Sequence, residues 1–95
     1  MLIRKTLVQF IAGDHASFKE KTPGLDIRES AVLVTKDGTR ARSWSMEPKL
    51  AGQWERIAYF EEGEYYMVFV ISSRTREGLG QHMNSFEALV SSYSR

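Results

Sequence analysis

The chain has 95 residues, 42% of them hydrophobic, which fits one domain with a single core and argues against global disorder. Its formal net charge is +1, so it lacks the basic excess of most nucleic-acid binders, and the composition argues against DNA or RNA as a partner. Cysteine is absent, which excludes disulfides, thiolate nucleophiles and cysteine-based zinc sites. We expect a single domain over residues 1–95.

The apolar runs of the sequence are short. The longest, LVQFIA and YYMVFVI, reach about a third of the roughly 20 residues that a membrane-spanning helix needs. We therefore expect no membrane insertion, and a soluble, cytoplasmic protein.

The N-terminal segment LIRKTLVQFIA alternates as a β-strand does. In that reading one face carries Leu7, Gln9 and Ile11, and the other carries Val8, Phe10 and Ala12. The next segment, GDHASFKEKTPGLDIRES, is the least periodic part of the chain. A short helix around residues 15–21 is one interpretation of it, and a loop is the other.

The segment SAVLVTKDGTRARSWSM predicts a β-hairpin. Two runs rich in β-forming residues flank Asp37-Gly38, a dipeptide suited to a type I′ turn. The predicted strands cover residues 31–36 and 39–46. Pro48 follows and is not expected inside a central strand.

A second hairpin is predicted between residues 54 and 72. Residues 54–61 alternate, Glu62-Gly63 supplies the reversal, and the run from Tyr65 to Ile71 is apolar on both faces. A strand that is apolar on both faces is typical of the centre of a sheet, or of a face covered by a partner subunit. We therefore expect this strand to lie at the centre of the sheet, or to have one face covered by a partner subunit.

The last segment has the period of an amphipathic helix. Thr75 is the expected N-cap of this helix. The apolar stripe consists of Leu79, Met83, Phe86, Val90 and Tyr93, and Leu89 lies beside it. The predicted fold class is α+β: an antiparallel sheet of about four to five strands, with the C-terminal amphipathic helix packed on one face.

Catalytic and metal-binding patterns are weak in this sequence. His15 lies beside Asp14, but this dipeptide carries little specificity, and His82 fits a helix surface. The acids at positions 55, 61, 62 and 64 surround a turn, where solvent explains them. No zinc-protease, phosphate-loop or nucleophile-elbow motif is present in the sequence. We assign no catalytic, cofactor-binding or metal-binding residue.

Two groups of residues remain candidates for binding. Basic side chains at Arg40, Arg42, Arg74 and Arg76 would form an anion-binding patch if the two regions converge, and a solvated, aggregation-resistant edge if they do not. Aromatic side chains at Trp54, Tyr59 and Tyr66 would line a pocket between sheet and helix, or else pack in the core.

The C-terminal part of the chain resembles the PsbP-like and DcrB-like domains. The matching segments are RIAYFEEGEYYMVFVISS and FEALVSSY, which ends on the Ser92-Tyr93 pair, and the resemblance covers roughly residues 30–93. It implies a non-enzymatic binding domain, similar to photosystem-associated subunits, a Ran-binding factor, bacterial envelope lipoproteins and secretion chaperones. Residues 1–29 depart from the family pattern.

The sequence therefore predicts a protein-interaction or chaperone/adaptor-like module that forms a homodimer. The reason is the doubly apolar strand in a chain with only one strong covering helix. The expected interaction surface combines the apolar and aromatic residues Trp54, Tyr59, Tyr66, Val68 and Val70 with the four arginines named above. The alternative is a small-ligand-binding domain or small enzyme with a pocket between sheet and helix.

Overall fold

The fold is an antiparallel sheet with a helix on each face. The computed structural model describes residues 6–49 and 52–94. In chain order the elements are α1 (Leu7–Lys21), β1 (Asp26–Glu29), β2 (Leu33–Val34), β3 (Arg40–Glu47), β4 (Trp54–Glu62), β5 (Tyr65–Ser73) and α2 (Arg76–Ser92). The predicted α+β class is confirmed, as is the C-terminal helix packed against the sheet.

The sheet is a meander in the order β1-β3-β4-β5, and β2 also pairs with β3. β1 pairs with the C-terminal half of β3 and β2 with its N-terminal half, so both flank the same side of β3. Between them, Ser30 N donates to Ser43 O at 2.8 Å, and Ser43 Oγ donates to Ala31 O at 2.7 Å. These bonds hold the connecting segment along the edge of β3.

The predicted N-terminal strand is wrong, because residues 7–21 form helix α1. The apolar residues Leu7, Phe10 and Ile11 follow a helical spacing. Thr6 caps the helix: its Oγ1 accepts from the Gln9 N–H at 3.1 Å, and its own N–H donates to Gln9 Oε1 at 2.9 Å. The helix contains the short helix considered for residues 15–21. Positions 2–5 of the predicted strand lie outside the described residues.

The first hairpin exists, but its turn is not type I′. Gly38 N donates to Thr35 O at 3.0 Å, Thr35 N donates to Thr39 O at 2.9 Å, and Gly38 has a φ of 87°. Asp37 does not share this conformation, since every described residue with a positive φ is glycine. The connection is therefore a three-residue loop that ends in a left-handed glycine. Its first strand, β2, covers only Leu33–Val34 rather than residues 31–36.

The second hairpin is confirmed, but its second strand is not central. Within the described part of the chain, β5 pairs only with β4 and forms an edge of the sheet. The centre is β4, where residues 57–60 are completely buried. The two apolar faces of β5 have different surroundings. The face that carries Phe69 packs against α2, whereas Val68 and Val70 on the other face are exposed.

Each face of the sheet has its own core. Between the sheet and α1 lie Ile11, Trp44, Met46, Ile57 and Tyr59. Between the sheet and α2 lie Ala41, Ala58, Phe60, Phe86 and Val90. The short Ala41 and Ala58 side chains leave room for the aromatic rings beside them, so both faces of β4 are filled.

Helix α2 matches its predicted stripe. Leu79, Phe86 and Val90 are buried, while Leu89 is 54% exposed. Thr75 is the N-cap, with its Oγ1 accepting from Gly78 N at 2.9 Å. A Cβ at Gly78 would overlap Ser73 Oγ, so glycine permits the close approach of the first helical turn to the end of β5. Neither helix in the described part of the chain is long and apolar enough to cross a membrane.

Candidate functional site

The three aromatic residues predicted to line one pocket lie on opposite faces of the sheet. Trp54 borders a cavity beneath α2. Tyr59 is fully buried in the core beneath α1, and Tyr66 packs on Phe10 of α1 with a centroid distance of 5.1 Å. The sheet separates Trp54 from the two tyrosines, so the three side chains do not form a common site.

The four arginines also lie in separate places. Arg42 pairs across the sheet with Tyr59, which pairs with Val68 of β5, whereas Arg74 follows Ser73 at the end of that strand. Arg74 is six residues beyond Val68, which corresponds to about 20 Å along the strand at the usual rise. Arg40 lies farther still from Arg74 and Arg76. The structure does not bring them together as one patch.

Arg42 has local partners. Its Nη2 lies 2.9 Å from Glu29 Oε2, and its guanidinium stacks over the Trp44 ring at 4.8 Å. Such contacts hold the arginine side chain flat on the sheet and shield the edge of Trp44 from water. Arg42 therefore covers the core on the α1 side.

The outer edge of β5, together with Val68 and Val70, is the most accessible apolar surface on the sheet; we call it the β5 edge. Tyr65 is 72% exposed, Val68 36% and Val70 53%. The strand has nine residues, none of them charged, and pairs in unbroken register with β4. Val68 and Val70 lie on the face of the sheet that α1 covers. The helix reaches only as far as Tyr66 on β5, so the two valines remain exposed to solvent.

On the opposite side of the sheet, the strand β1 is protected. β1 has only four residues and three of them are charged. Arg28 Nε lies 2.7 Å from Asp26 Oδ2 and 3.6 Å from Glu47 Oε2, so charged groups line this edge. Short, charged edge strands resist pairing with other chains. β1 and β5 therefore differ in chemistry. β2, which lies on the same side of β3 as β1, carries the exposed Val34 but has only two residues, so β5 is the longer uncharged edge.

A cluster of titratable groups lies between α1 and β4. Tyr59 Oη donates to Asp14 Oδ2 at 2.6 Å, across 45 residues of sequence. Burial, and next the negative charge of Asp14, raises the pKa of the Glu55 carboxyl. Burial is also the main cause of a raised pKa for the Tyr59 hydroxyl, which the bond to Asp14 reinforces. The sequence pattern did not reveal this cluster, because Asp14 lies 45 residues from Tyr59 along the chain.

His15 belongs to the same cluster. Its ring lies edge-on to Trp44 and Tyr59, with centroid distances of 4.9 and 5.9 Å. Its Nε2 is buried, with no hydrogen-bond partner among the described residues. Burial lowers the pKa of His15; Asp14 opposes this change, while the positive charges of Lys19 and Arg42 add to it. The neutral imidazole is therefore the form that fits the folded protein.

We expect the stability of the protein to fall on acidification because of His15. The unfolded chain takes up a proton near pH 6.5, whereas the folded chain takes it up at lower pH. The stabilisation is therefore complete above about pH 6.5 and is lost as the pH falls through the folded pKa. His15→Gln should reduce the change in unfolding free energy as the pH falls from neutral to below about pH 6.5. Urea unfolding at a series of pH values measures this change. Equal slopes in His15→Gln and in the wild-type chain would contradict the assignment.

Two cavities bordered by described residues lie on the faces of the sheet. One, of about 240 Å³, lies beneath the end of α1 and is bordered by Phe18, Leu25, Met46 and Glu55. The other, of about 270 Å³, lies beneath the first turns of α2 and contains Arg56 and Trp54. In the described residues no group of three or more histidine, aspartate or glutamate side chains is placed to hold a metal ion.

The fold and its surfaces define an α+β domain with an open sheet edge and a helix on each face. Comparison with models of protein families, with curated proteins and with solved structures gives no match to this chain. The resemblance to PsbP-like and DcrB-like domains therefore stays a prediction.

Proposed function

We propose that this chain is a non-enzymatic protein-interaction module whose first partner is a second copy of itself. The observation that carries this proposal is the β5 edge, which is nine residues long, uncharged and unpaired within the described residues. Free N–H and C=O groups along such an edge bind another strand readily, and the exposed valines add apolar contact. The PsbP-like resemblance implies the same class of function, protein recognition.

The β5 sequence is self-complementary when two copies pair antiparallel about Phe69. In this register Val68 lies opposite Val70 of the second copy, and Met67 lies opposite its Ile71. Residues directly opposite in an antiparallel pair project to the same face. The four exposed valines of two copies would therefore meet on the α1 face and remove one another from water.

The charges that flank β5 favour the same register. Glu64 precedes the strand and Arg74 follows it, so each Glu64 would face Arg74 of the second copy. Opposite charges across strands stabilise pairing modestly, and like charges oppose it. A parallel arrangement would instead place identical charges together. Charge complementarity with itself is the reason to choose a second copy over an unrelated partner.

Size measurement tests the proposal, with Val70→Lys as the decisive variant. The wild-type chain is expected to sediment at twice its 10.9 kDa mass. Val70→Lys should raise the dimer Kd at least about tenfold, because lysine on an edge strand opposes pairing and the apolar contact is lost. Val8→Lys is the matched control, since Val8 is 63% exposed and lies on α1 rather than on β5. Analytical ultracentrifugation over a concentration series gives the Kd of each variant.

A charge exchange tests the register itself. Arg74→Glu should weaken the dimer by placing two acids opposite each other, and adding Glu64→Arg should restore it. A wild-type chain that remains monomeric at high concentration would refute the proposal. Dissociation by Val8→Lys to the same extent as by Val70→Lys would show that the dimer uses α1 rather than β5.

A further inference from the structure

The cavity beneath α2 is lined by both positively charged and apolar side chains, which come from the sheet and from the helix. Its polar wall comes from neighbouring strands: Ser45 and Glu47 lie on β3, and Arg56 pairs with Ser45 across to β4. Arg76, the first residue of α2, closes the rim. Glu47 lies 3.6 Å from Arg28, which offsets its negative charge from outside the cavity. The side chains that face the cavity therefore carry a net positive charge.

Arg56 is the unusual group in this cavity. Its Nε is buried and has no hydrogen-bond partner among the described residues. Burial lowers the pKa of its guanidinium, and the attraction of Glu87 only partly compensates. A buried guanidinium N–H without an acceptor is costly, since each such group ordinarily finds a partner. Because Nε itself is enclosed by protein atoms, an anion in the cavity would reach this guanidinium through its terminal nitrogens.

The remaining walls are apolar or bare. Trp54 lies on the sheet side, and Leu79 and Met83 lie one turn apart on α2. Gly80 also borders the cavity, and a Cβ at this position would meet nothing within 4 Å. An aromatic ring, a thioether and an aliphatic side chain around open space fit the flat apolar body of a small ligand.

We infer that the cavity beneath α2 binds a small organic anion, with its carboxylate or phosphate on Arg56 and Arg76 and its apolar body against Trp54, Leu79 and Met83. The volume of about 270 Å³ admits a single ring with one acidic group but not a nucleotide. Arg56 supplies a donor on the sheet side of the cavity, and Arg76, at the exposed start of α2, supplies one at its rim. This site is independent of the β5 edge and does not require the dimer.

The two tryptophans allow binding to be observed directly. Trp54 borders the cavity, whereas Trp44 is buried beneath α1 on the other face of the sheet. In ¹⁵N-labelled protein, titration with benzoate or phenyl phosphate should shift the indole N–H signal of Trp54 and leave that of Trp44 in place. A ligand of this size should bind with a Kd of about 1 mM or tighter. Benzamide, the neutral analogue of benzoate, should bind at least about tenfold more weakly.

Three variants distinguish anion recognition from unspecific binding. Arg76→Gln, at the exposed start of α2, should weaken benzoate binding about tenfold, because it removes a charge-assisted bond without altering the core. Arg40→Gln makes the same change of charge outside the cavity and should have no effect. Gly80→Leu should block binding by filling the cavity while keeping both arginines, and its thermal unfolding verifies the fold.

The outcomes separate the sources of the anion and the failures of the inference. Tighter binding of phenyl phosphate than of benzoate identifies a phosphate ligand, and the reverse order identifies a carboxylate. Equal binding of benzoate and benzamide would overturn anion recognition. Inorganic phosphate binding as tightly as phenyl phosphate would overturn the role of the apolar wall. Absence of any Trp54 shift with both acids would overturn the site.

Discussion

Replacing Phe60 by alanine should lower the free energy of unfolding by about 3–5 kcal/mol. Phe60 is fully buried on the central strand, and its ring lies 5.2 Å from Tyr93 and 5.5 Å from Phe69, measured between centroids. Truncation removes the contact that joins β4, β5 and the end of α2, and the space cannot close because each neighbour is anchored in its own element. The total free energy of unfolding of a domain of this size is roughly 5–15 kcal/mol, so the variant would lose much of its stability.

Thermal and urea unfolding followed by circular dichroism measure the effect. For a domain of this length the loss corresponds to a fall in Tm on the order of 20 °C. Phe60→Leu keeps most of the volume and should cost about 1–1.5 kcal/mol. Tyr65→Ala, on the exposed start of β5, should change stability by less than about 0.5 kcal/mol. A Phe60→Ala variant as stable as Tyr65→Ala would show that this aromatic cluster does not form the core.

The C-terminal half of the fold could be predicted because its patterns are local. The stripe from Leu79 to Tyr93 has a helical period, and the alternation of residues 54–61 places Ala58 and Phe60 on the face opposite Ile57 and Tyr59. These features depend on residues a few positions apart. The centre of the sheet could not be predicted in this way, since strand order depends on pairing between distant segments. An exposed apolar face and a buried one look alike in sequence.

The N-terminal helix was missed because two periods compete there. Between residues 7 and 12, alternation places Leu7 and Ile11 on one face and Phe10 on the other, whereas a helix places all three on one stripe. Gly13 favours ending the segment in either case. The decisive signal was the capping box, a threonine at position 6 followed three residues later by Gln9. Recognising α1 from this signal would also predict a second helical layer over the sheet. It would still not predict the contact between Asp14 and Tyr59, since that contact joins residues 45 positions apart.

The sequence indicated the chemical character of the β5 edge, but it did not indicate where the candidate sites lie in the fold. Excess apolar character in β5 was visible in sequence, and the structure shows that Val68 and Val70 account for the exposed part of it. The arginine pair of the cavity was not visible, because Arg56 lies in an alternating strand where a solvent-facing role is usual. Only the position of α2 above that strand makes the space around Arg56 a cavity.

Replacing Tyr59 by phenylalanine should destabilise the attachment of α1 by about 1.5–3 kcal/mol. The hydroxyl of a fully buried tyrosine donates to the Asp14 carboxylate at 2.6 Å, and bonds of this charge-assisted kind are the stronger ones. Phenylalanine keeps the ring, so core volume is nearly unchanged and the loss reports the hydrogen bond and the carboxylate left without its donor. Tyr65→Phe removes the same hydroxyl from a side chain that is 72% exposed and should have almost no effect.

A double-mutant cycle with Asp14→Ala isolates this bond from the other contacts of α1. If the hydroxyl and the carboxylate stabilise the fold through each other, Tyr59→Phe should cost far less in the Asp14→Ala background than in the wild type. Hydrogen exchange should then accelerate in residues 7–21 while α2 remains protected, because the bond ties α1 to β4 and does not touch the other core. Additive losses, or equal acceleration in both helices, would show that α1 is held by its apolar face alone.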